Sequence, residues 1–169
     1  LKNNIIINNF TPAGTGGNIG IFKASGVIYN PASNNNNVYV PTGALNYFYY
    51  DGTTTYATFG AYQTAVAPAE TNSFPENSPF MNVATHPYNL DMKTTVATLC
   101  EGGAMPIAGI TTDIHGTTRN GTTPDVGADE FNGIGPVTQA PTLVAPSNNA
   151  VLVELNPLMN WDNTTYALN

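Results

Sequence analysis

Charge is the first thing this chain lacks. Only 9% of its 169 residues are Asp, Glu, Lys or Arg, against about 25% in ordinary soluble domains. Cations are scarcer still, with Lys2, Lys23, Lys93 and Arg119 making up the full set and leaving a net charge of -7. A phosphate-backbone partner needs a basic stripe, so nucleic acid is excluded and an anionic polysaccharide is disfavoured. A single cysteine, Cys100, rules out an internal disulfide. In TLCEGG it reads as a small buried apolar residue rather than a nucleophile. No apolar run approaches the roughly 20 residues of a membrane helix, so membrane insertion is not expected. No signal peptide is visible either. The chain starts at Leu1 inside a strand-like run, and an upstream portion bearing the address label is expected to have been removed.

Motifs for chemistry are equally scarce. There is no G-x-S-x-G elbow, no H-E-x-x-H and no phosphate loop. GTGGNIG, Gly14 to Gly20, has the wrong spacing for a dinucleotide fingerprint and reads as a loop, and His86 before Pro87 reads as a turn residue. Glu70, Glu76, Asp91 and Glu101 are acids of the type a glycosidase pairs, but nothing in the sequence brings two of them together. No catalytic residue is assigned, and enzyme activity is not expected within this segment.

What is present points to strands. Hydrophobic residues make up 41% of the chain, enough for a core in one domain of this length. Thr, Tyr, Val and Ile suit a pleated surface, while Asn, Gly and Pro supply turns. Strand-like runs recur at 4–8, 19–22, 26–30, 37–40 and 45–50. Ile5, Ile6 and Ile7, and Tyr47, Phe48, Tyr49 and Tyr50, are apolar in succession, which predicts either cover on both faces or aromatic side chains carried outward on one. Asn pairs flank strands at Asn3 and Asn4 and at Asn8 and Asn9, and a run fills Asn34 to Asn37, where left-handed turns and amide ladders are expected. The composition of 60–72 allows a turn or two of helix before Pro68, and 94–100 is a second short helical candidate ended by Gly102 and Gly103.

The densest polar block is DIHGTTRNGTTPDVGADEF, 113–131. Together with LKNNIII, NNNNVYV, AYQTA, NSPFMN and YNLDM, it resembles the last coils and closing segment of secreted bacterial right-handed parallel β-helix proteins of pectate-lyase-like fold. The match departs at His115, where that family carries Asp or Asn. From Gly135 onward, GPVTQAPTLVAPSNNAVLVELNPLMNWDN resembles the opening strands of a fibronectin type III or immunoglobulin-like module, with Pro157, Leu158 and Trp161 matching a P-L-x-x-W pattern. The resemblance implies an all-β fold, a right-handed parallel β-helix with a C-terminal cap over 1–134, followed by a short extended β tail over 135–169.

Physical reasoning gives the closing block a structural role. Asp113, Gly116, Arg119, Asp125, Gly127, Asp129, Glu130 and Phe131 are expected to form a cap, with Arg119 paired to Asp113 or Asp125 and with Val126, Ala128 and Phe131 as its apolar plug. No metal or cofactor is needed for this. Asp113, Asp125 and Asp129 are the residues that would ligate Ca²⁺, although their spacing is poor for it, and zinc would want more His or Cys than the chain provides. Tyr47, Tyr49, Tyr50 and Tyr56 are candidates for contact with a neutral glycan or a partner, set against their burial in the core. The functional expectation is a non-catalytic extracellular or cell-surface bacterial segment, structural or adhesive, associating with itself or with neighbouring domains. The alternatives are a neutral-glycan module and the C-terminal part of a polysaccharide-degrading enzyme, lyase or glycoside hydrolase, whose catalytic residues lie upstream.

Overall fold

The computed structural model describes residues 1–136, 143–145 and 160–161. The chain divides into two compact units, Leu1–Gly135 and Pro136–Asn169. In the first unit, β1 (Ile5–Ile7) pairs in parallel with β3 (Asn37–Tyr39), and β2 (Asn18–Phe22) pairs in parallel with β4 (Asn46–Tyr50). A hairpin then adds β5 (Thr55–Tyr56) antiparallel to β4. Helix α1 (Phe59–Val66) follows, and β6 (Phe80–Asn82) and β7 (Asn89–Met92) form an antiparallel pair. In the second unit β8 (Leu143–Ala145) lies antiparallel to β9 (Asn160–Trp161).

Four of the five expected strands are present, and 26–30 is not one of them: Ser25 and Gly26 form a turn and the following residues carry no ladder. The helix expected within 60–72 is α1, with Thr58 as its cap; the Thr58 hydroxyl accepts from the Ala61 amide at 3.2 Å. Residues 94–100 are turns with a single bridge at Ala97 rather than a helix, because Thr and Val there lose rotamer freedom in a helical turn.

The right-handed parallel β-helix is not what the chain forms. Among the described residues the sheets are short and separate, of two or three strands each, and parallel and antiparallel pairing are mixed. A solenoid needs each strand to be continued in parallel by the next coil. Among the described residues only two strand pairs are parallel, β1 with β3 and β2 with β4. After β4, the Asp51 carboxylate accepts the amides of Thr53 at 2.8 Å and Thr54 at 2.7 Å, and this turn sends the chain back along the sheet. Beyond it, among the described residues, parallel pairing survives only as single bridges, Asn37 to Phe74 and Ala97 to Ile134. The resemblance to the pectate-lyase-like family is overturned with it. The P-L-x-x-W reading falls on Pro157 and Leu158, outside the described residues.

Two apolar clusters hold the first unit. Val38, Val40, Phe48, Tyr49, Tyr62, Val66 and Ala69 form one, backed by Ile6 and Ile21. Met92, Cys100, Ala104 and Val126 form the other, backed by Ile5, Phe74, Phe80 and Phe131. Successive residues of a strand face opposite ways, so Ile5 and Ile6 of β1 serve different clusters. That answers the unbroken isoleucine run. Gly20 in β2 lets the sheet close over the first cluster, since a Cβ there would meet the Val38 side chain at 3.2 Å and the Phe48 carbonyl oxygen at 3.0 Å.

Asparagine behaves as its placement predicts. Asn3 and Asn35 adopt left-handed backbone, with φ of 56° and 55°. Amides pair across the parallel strands, Asn4 donating to Asn36 at 3.0 Å and Asn18 to Asn46 at 2.9 Å. Among the described residues no helix is long and apolar enough to cross a membrane.

Candidate functional site

The closing block folds on its own carboxylates. Asp113 Oδ1 accepts the amides of His115 at 2.8 Å and Thr117 at 2.7 Å, and its Oδ2 accepts that of Glu130 at 3.0 Å. Burial pushes its pKa up, but these amides outweigh that and hold it down at about 2. Asp125 is buried and binds the amides of Gly102 and Phe131, each at 2.7 Å. Burial, together with the charges of Glu101 and Glu130, pushes its pKa up to about 6 against those two amides.

Arg119, expected opposite Asp113 or Asp125, takes neither carboxylate. Its side chain is nine-tenths buried and donates to the carbonyl oxygens of Asp125 at 2.9 Å and Gly127 at 2.6 Å. Its ionic partner is Glu130, at 3.4 Å. Glu130 also receives the amides of Asn120 and Asp125. Gly116 and Gly127 occupy positive φ, at 84° and 109°, which other residues adopt with strain. Val126 and Phe131 pack in the second cluster, whereas Ala128 is exposed.

This block forms one wall of a groove of about 910 Å³. Ile5, Phe80, Met92 and Val126 lie at its base, where the second cluster comes to the surface. Leu90, Ile107, Ile110 and Ile114 also line it, and these are exposed at 65%, 38%, 55% and 72%. Exposed branched aliphatic side chains gathered around one concavity are unusual on a surface with no partner.

At one part of the lining three polar side chains meet. His115 Nε2 stands 3.6 Å from Asp91 Oδ1 and 3.8 Å from Asp129 Oδ1. One ligand atom from each residue lies within 4.8 Å of the other two. Asp91 comes from β7 and the other two from the closing block. Burial raises the pKa of Asp129, and the neighbouring acids Asp113 and Asp91 raise it further, while His115 lowers it. Of the three acids weighed for calcium, Asp113 and Asp125 are spent on backbone amides, and only Asp129 joins this group. His115 and Asp91 were missed as a pair because 23 residues, mostly of turn and loop, separate them. The His115 departure within the D-x-H-G turn was the one local signal.

The aromatic candidates divide. Tyr49 is buried, 1% exposed, inside the first cluster. Tyr56 is half-buried and donates its hydroxyl to Asp51 at 2.9 Å. The half-buried Tyr47 ring lies against Gly17. Tyr50 packs on the exposed Phe22, ring centres 5.2 Å apart. The four acids considered for glycoside chemistry stand apart. Glu76 accepts the Leu99 amide at 2.6 Å and Glu101 the Gly133 amide at 2.7 Å, while Asp91 is on the groove. Cys100 is fully buried beside Ser78, and burial pushes its thiol up to about 11.

Glu70, the remaining acid of that four, has a structural environment that the sequence did not announce. It is fully buried with φ of 59°. Ser33, Ser73, Tyr29 and Asn36 all donate to its carboxylate. Burial raises its pKa, and the four donors together bring it below the ordinary value. No protein-family model, curated protein or solved structure matches the chain.

Proposed function

We propose that this chain is a non-catalytic docking element of an extracellular or cell-surface protein, and that its groove takes an apolar, lysine- or arginine-bearing segment of a partner protein. The carrying observation is the ring of exposed Leu90, Ile107, Ile110 and Ile114 around a concavity whose base is the protein's own core. Apolar burial supplies the attraction. Charge favours one kind of partner: the chain carries -7, and Asp91 and Asp129 lie on the groove against one exposed cation, Lys2, while Arg119 is already occupied. A cationic segment is drawn in and an acidic one repelled. A second copy of this chain brings the same negative charge and is the poorer occupant.

Fluorescence polarisation with two labelled peptides, one alternating leucine with lysine and one alternating leucine with glutamate, tests the reading. The leucine–lysine peptide is expected to bind, the leucine–glutamate peptide to fail, and Ile110→Ser with Ile114→Ser to weaken binding at least about tenfold, the equivalent of about 1.4 kcal/mol. Equal binding to the double variant, or a concentration-dependent dimer that this variant abolishes, overturns it.

A second reading rests on a different surface. Phe22, 66% exposed, and Tyr50 present adjoining rings, which suits stacking against a neutral sugar. Affinity electrophoresis in neutral glycan gels, with Phe22→Ala as the control, checks it. Unretarded migration of the parent protein removes it.

A further inference from the structure

The imidazole of His115 faces two carboxylates at distances too long for a hydrogen bond and close to the edges of a shared coordination sphere. Ligands about 2.0–2.2 Å from a tetrahedral ion stand roughly 3.3–3.5 Å from one another. The 3.6 Å and 3.8 Å separations from His115 need a closure of a few tenths of an ångström, and the third edge, between the Asp91 and Asp129 oxygens, lies within 4.8 Å and closes by up to about 1.3 Å to reach the same spacing. Two of the three side chains are more than half exposed, His115 at 58% and Asp91 at 55%, so they can make that adjustment.

The surroundings favour a cation over an internal ion pair. The nearest arginine, Arg119, is committed to Glu130 and two carbonyl oxygens. Asp113 stands behind Asp129 and adds to the negative potential there. Asp113 also fixes the turn that presents His115, through the His115 and Thr117 amides, and the backbone beside Asp129, through the Glu130 amide. One carboxylate therefore fixes the backbone of His115 and the backbone next to Asp129, which places two of the three side chains on the same side of the groove lining.

We propose that Asp91, His115 and Asp129 bind a divalent transition-metal ion of the zinc or cobalt class, with water completing the sphere. One imidazole nitrogen and two carboxylate oxygens suit a borderline ion. Calcium, wanting roughly six to eight oxygens, finds too few here. The ion ties β7 to the closing block across the groove lining. It also cancels negative charge where a cationic peptide would enter, so bound metal weakens such a peptide.

The test is titration of the whole chain with Co²⁺, read by visible absorption, and with Zn²⁺, read by calorimetry, each without peptide. Independence from the docking reading follows from that choice. One equivalent of each metal is expected to bind, and Asp91→Asn, His115→Ala and Asp129→Asn should each weaken it by more than about 100-fold, beyond the roughly 10–100-fold loss typical of a merely supporting partner. His86→Ala should bind as the parent does. Circular dichroism of each variant establishes that a loss of binding is not a loss of fold, and the exposed His115 and Asp91 make folded variants the expected result. Binding that survives all three substitutions, a site that takes Ca²⁺ but not Zn²⁺, or the absence of cobalt bands overturns the proposal.

Discussion

Tyr29 donates its hydroxyl to Glu70 Oε1 at 2.7 Å, joining a loop after β2 to a residue beyond α1, 41 positions away. The Tyr62 hydroxyl lies 2.5 Å from the Tyr29 oxygen. Since the Tyr29 proton is used on Glu70, Tyr62 is the donor in that second bond. Both phenols are raised in pKa, chiefly by burial. A carboxylate can accept four hydrogen bonds, and Glu70 receives four.

Glu70→Gln is expected to destabilise the chain by about 2–4 kcal/mol, because an amide group turns one acceptor into a donor facing donors. Two truncations separate the carboxylate from the backbone. Glu70→Ala and Glu70→Gly both lose the network, but only alanine keeps the cost of a left-handed residue, about 1 kcal/mol. Denaturant unfolding should place the glycine variant above the alanine variant. The opposite order would mean that the strain at φ of 59° is illusory.

Arg119 gives a second prediction. Its guanidinium spans two carbonyl oxygens and one carboxylate, a fork that an ammonium cannot reproduce. Arg119→Ala should lower the melting temperature by about 5 °C, on a loss of about 2 kcal/mol, and Arg119→Lys should recover less than half of it. An unmoved melting temperature would show that the closing block does not depend on this side chain.

Local chemistry was legible in the sequence, and long-range pairing was not. Asn3 and Asn35 take left-handed backbone because asparagine tolerates it, and Thr58 caps α1 because its hydroxyl reaches the helix amides; both depend on neighbouring residues alone. The parallel pairs themselves fit the strand runs. The solenoid failed at Asp51 and Gly52, whose turn reverses the chain, and at 74–97, where repeated coils were expected and an antiparallel pair stands instead. Turn residues at one hairpin weigh little in a reading made from dozens of strand-forming residues, yet they decide the topology.

The site follows the same division. Asp113 and Arg119 stand out in a polar, glycine-punctuated block, but the partners of Asp113 are backbone amides and those of Arg119 are two carbonyl oxygens and Glu130, and no residue type announces a backbone partner. In the sequence Glu70 was one of four acids of the type a glycosidase pairs, with nothing to set it apart. Ser73 is its one local donor, while Ser33, Asn36 and Tyr29 are all more than 30 residues away, so the sequence around it did not mark its burial.

Asp125 carries the pH prediction. Its charged neighbours are Glu101 and Glu130, with Arg119 bound to its backbone carbonyl. A folded-state pKa of about 6 lies above the ordinary value of 3.8, so the folded chain holds a proton there that the unfolded chain releases. The contribution is thus fully present below about pH 4 and is lost as pH rises through about 6. Carbon-detected NMR should show the Asp125 carboxyl titrating near the upper value. Glu101→Gln, which removes one neighbouring charge, should move that midpoint down; a midpoint near 4 in the parent protein would contradict the assignment.

The amide pair of Asn18 and Asn46 has a direction, and direction makes a test. Asn18 Nδ2 donates both to the Asn8 carbonyl oxygen and to Asn46 Oδ1, each at 2.9 Å. Asn46 contributes its oxygen, and its own amide nitrogen makes only a long 3.5 Å bond to Ala44. Asn18→Asp therefore replaces a doubly used donor by an acceptor and leaves two oxygens facing it, at a cost of about 2–3 kcal/mol. Asn46→Asp keeps the acceptor that Asn18 uses. Both positions are buried, at 2% and 8% exposure, so the desolvation of a new carboxylate is similar in the two variants and cancels in the comparison. Asn18→Asp is expected to be the less stable of the pair in urea unfolding at pH 7. Equal stabilities would mean that the parallel strands β2 and β4 are held by their backbone ladder alone, with the side-chain amides as passengers.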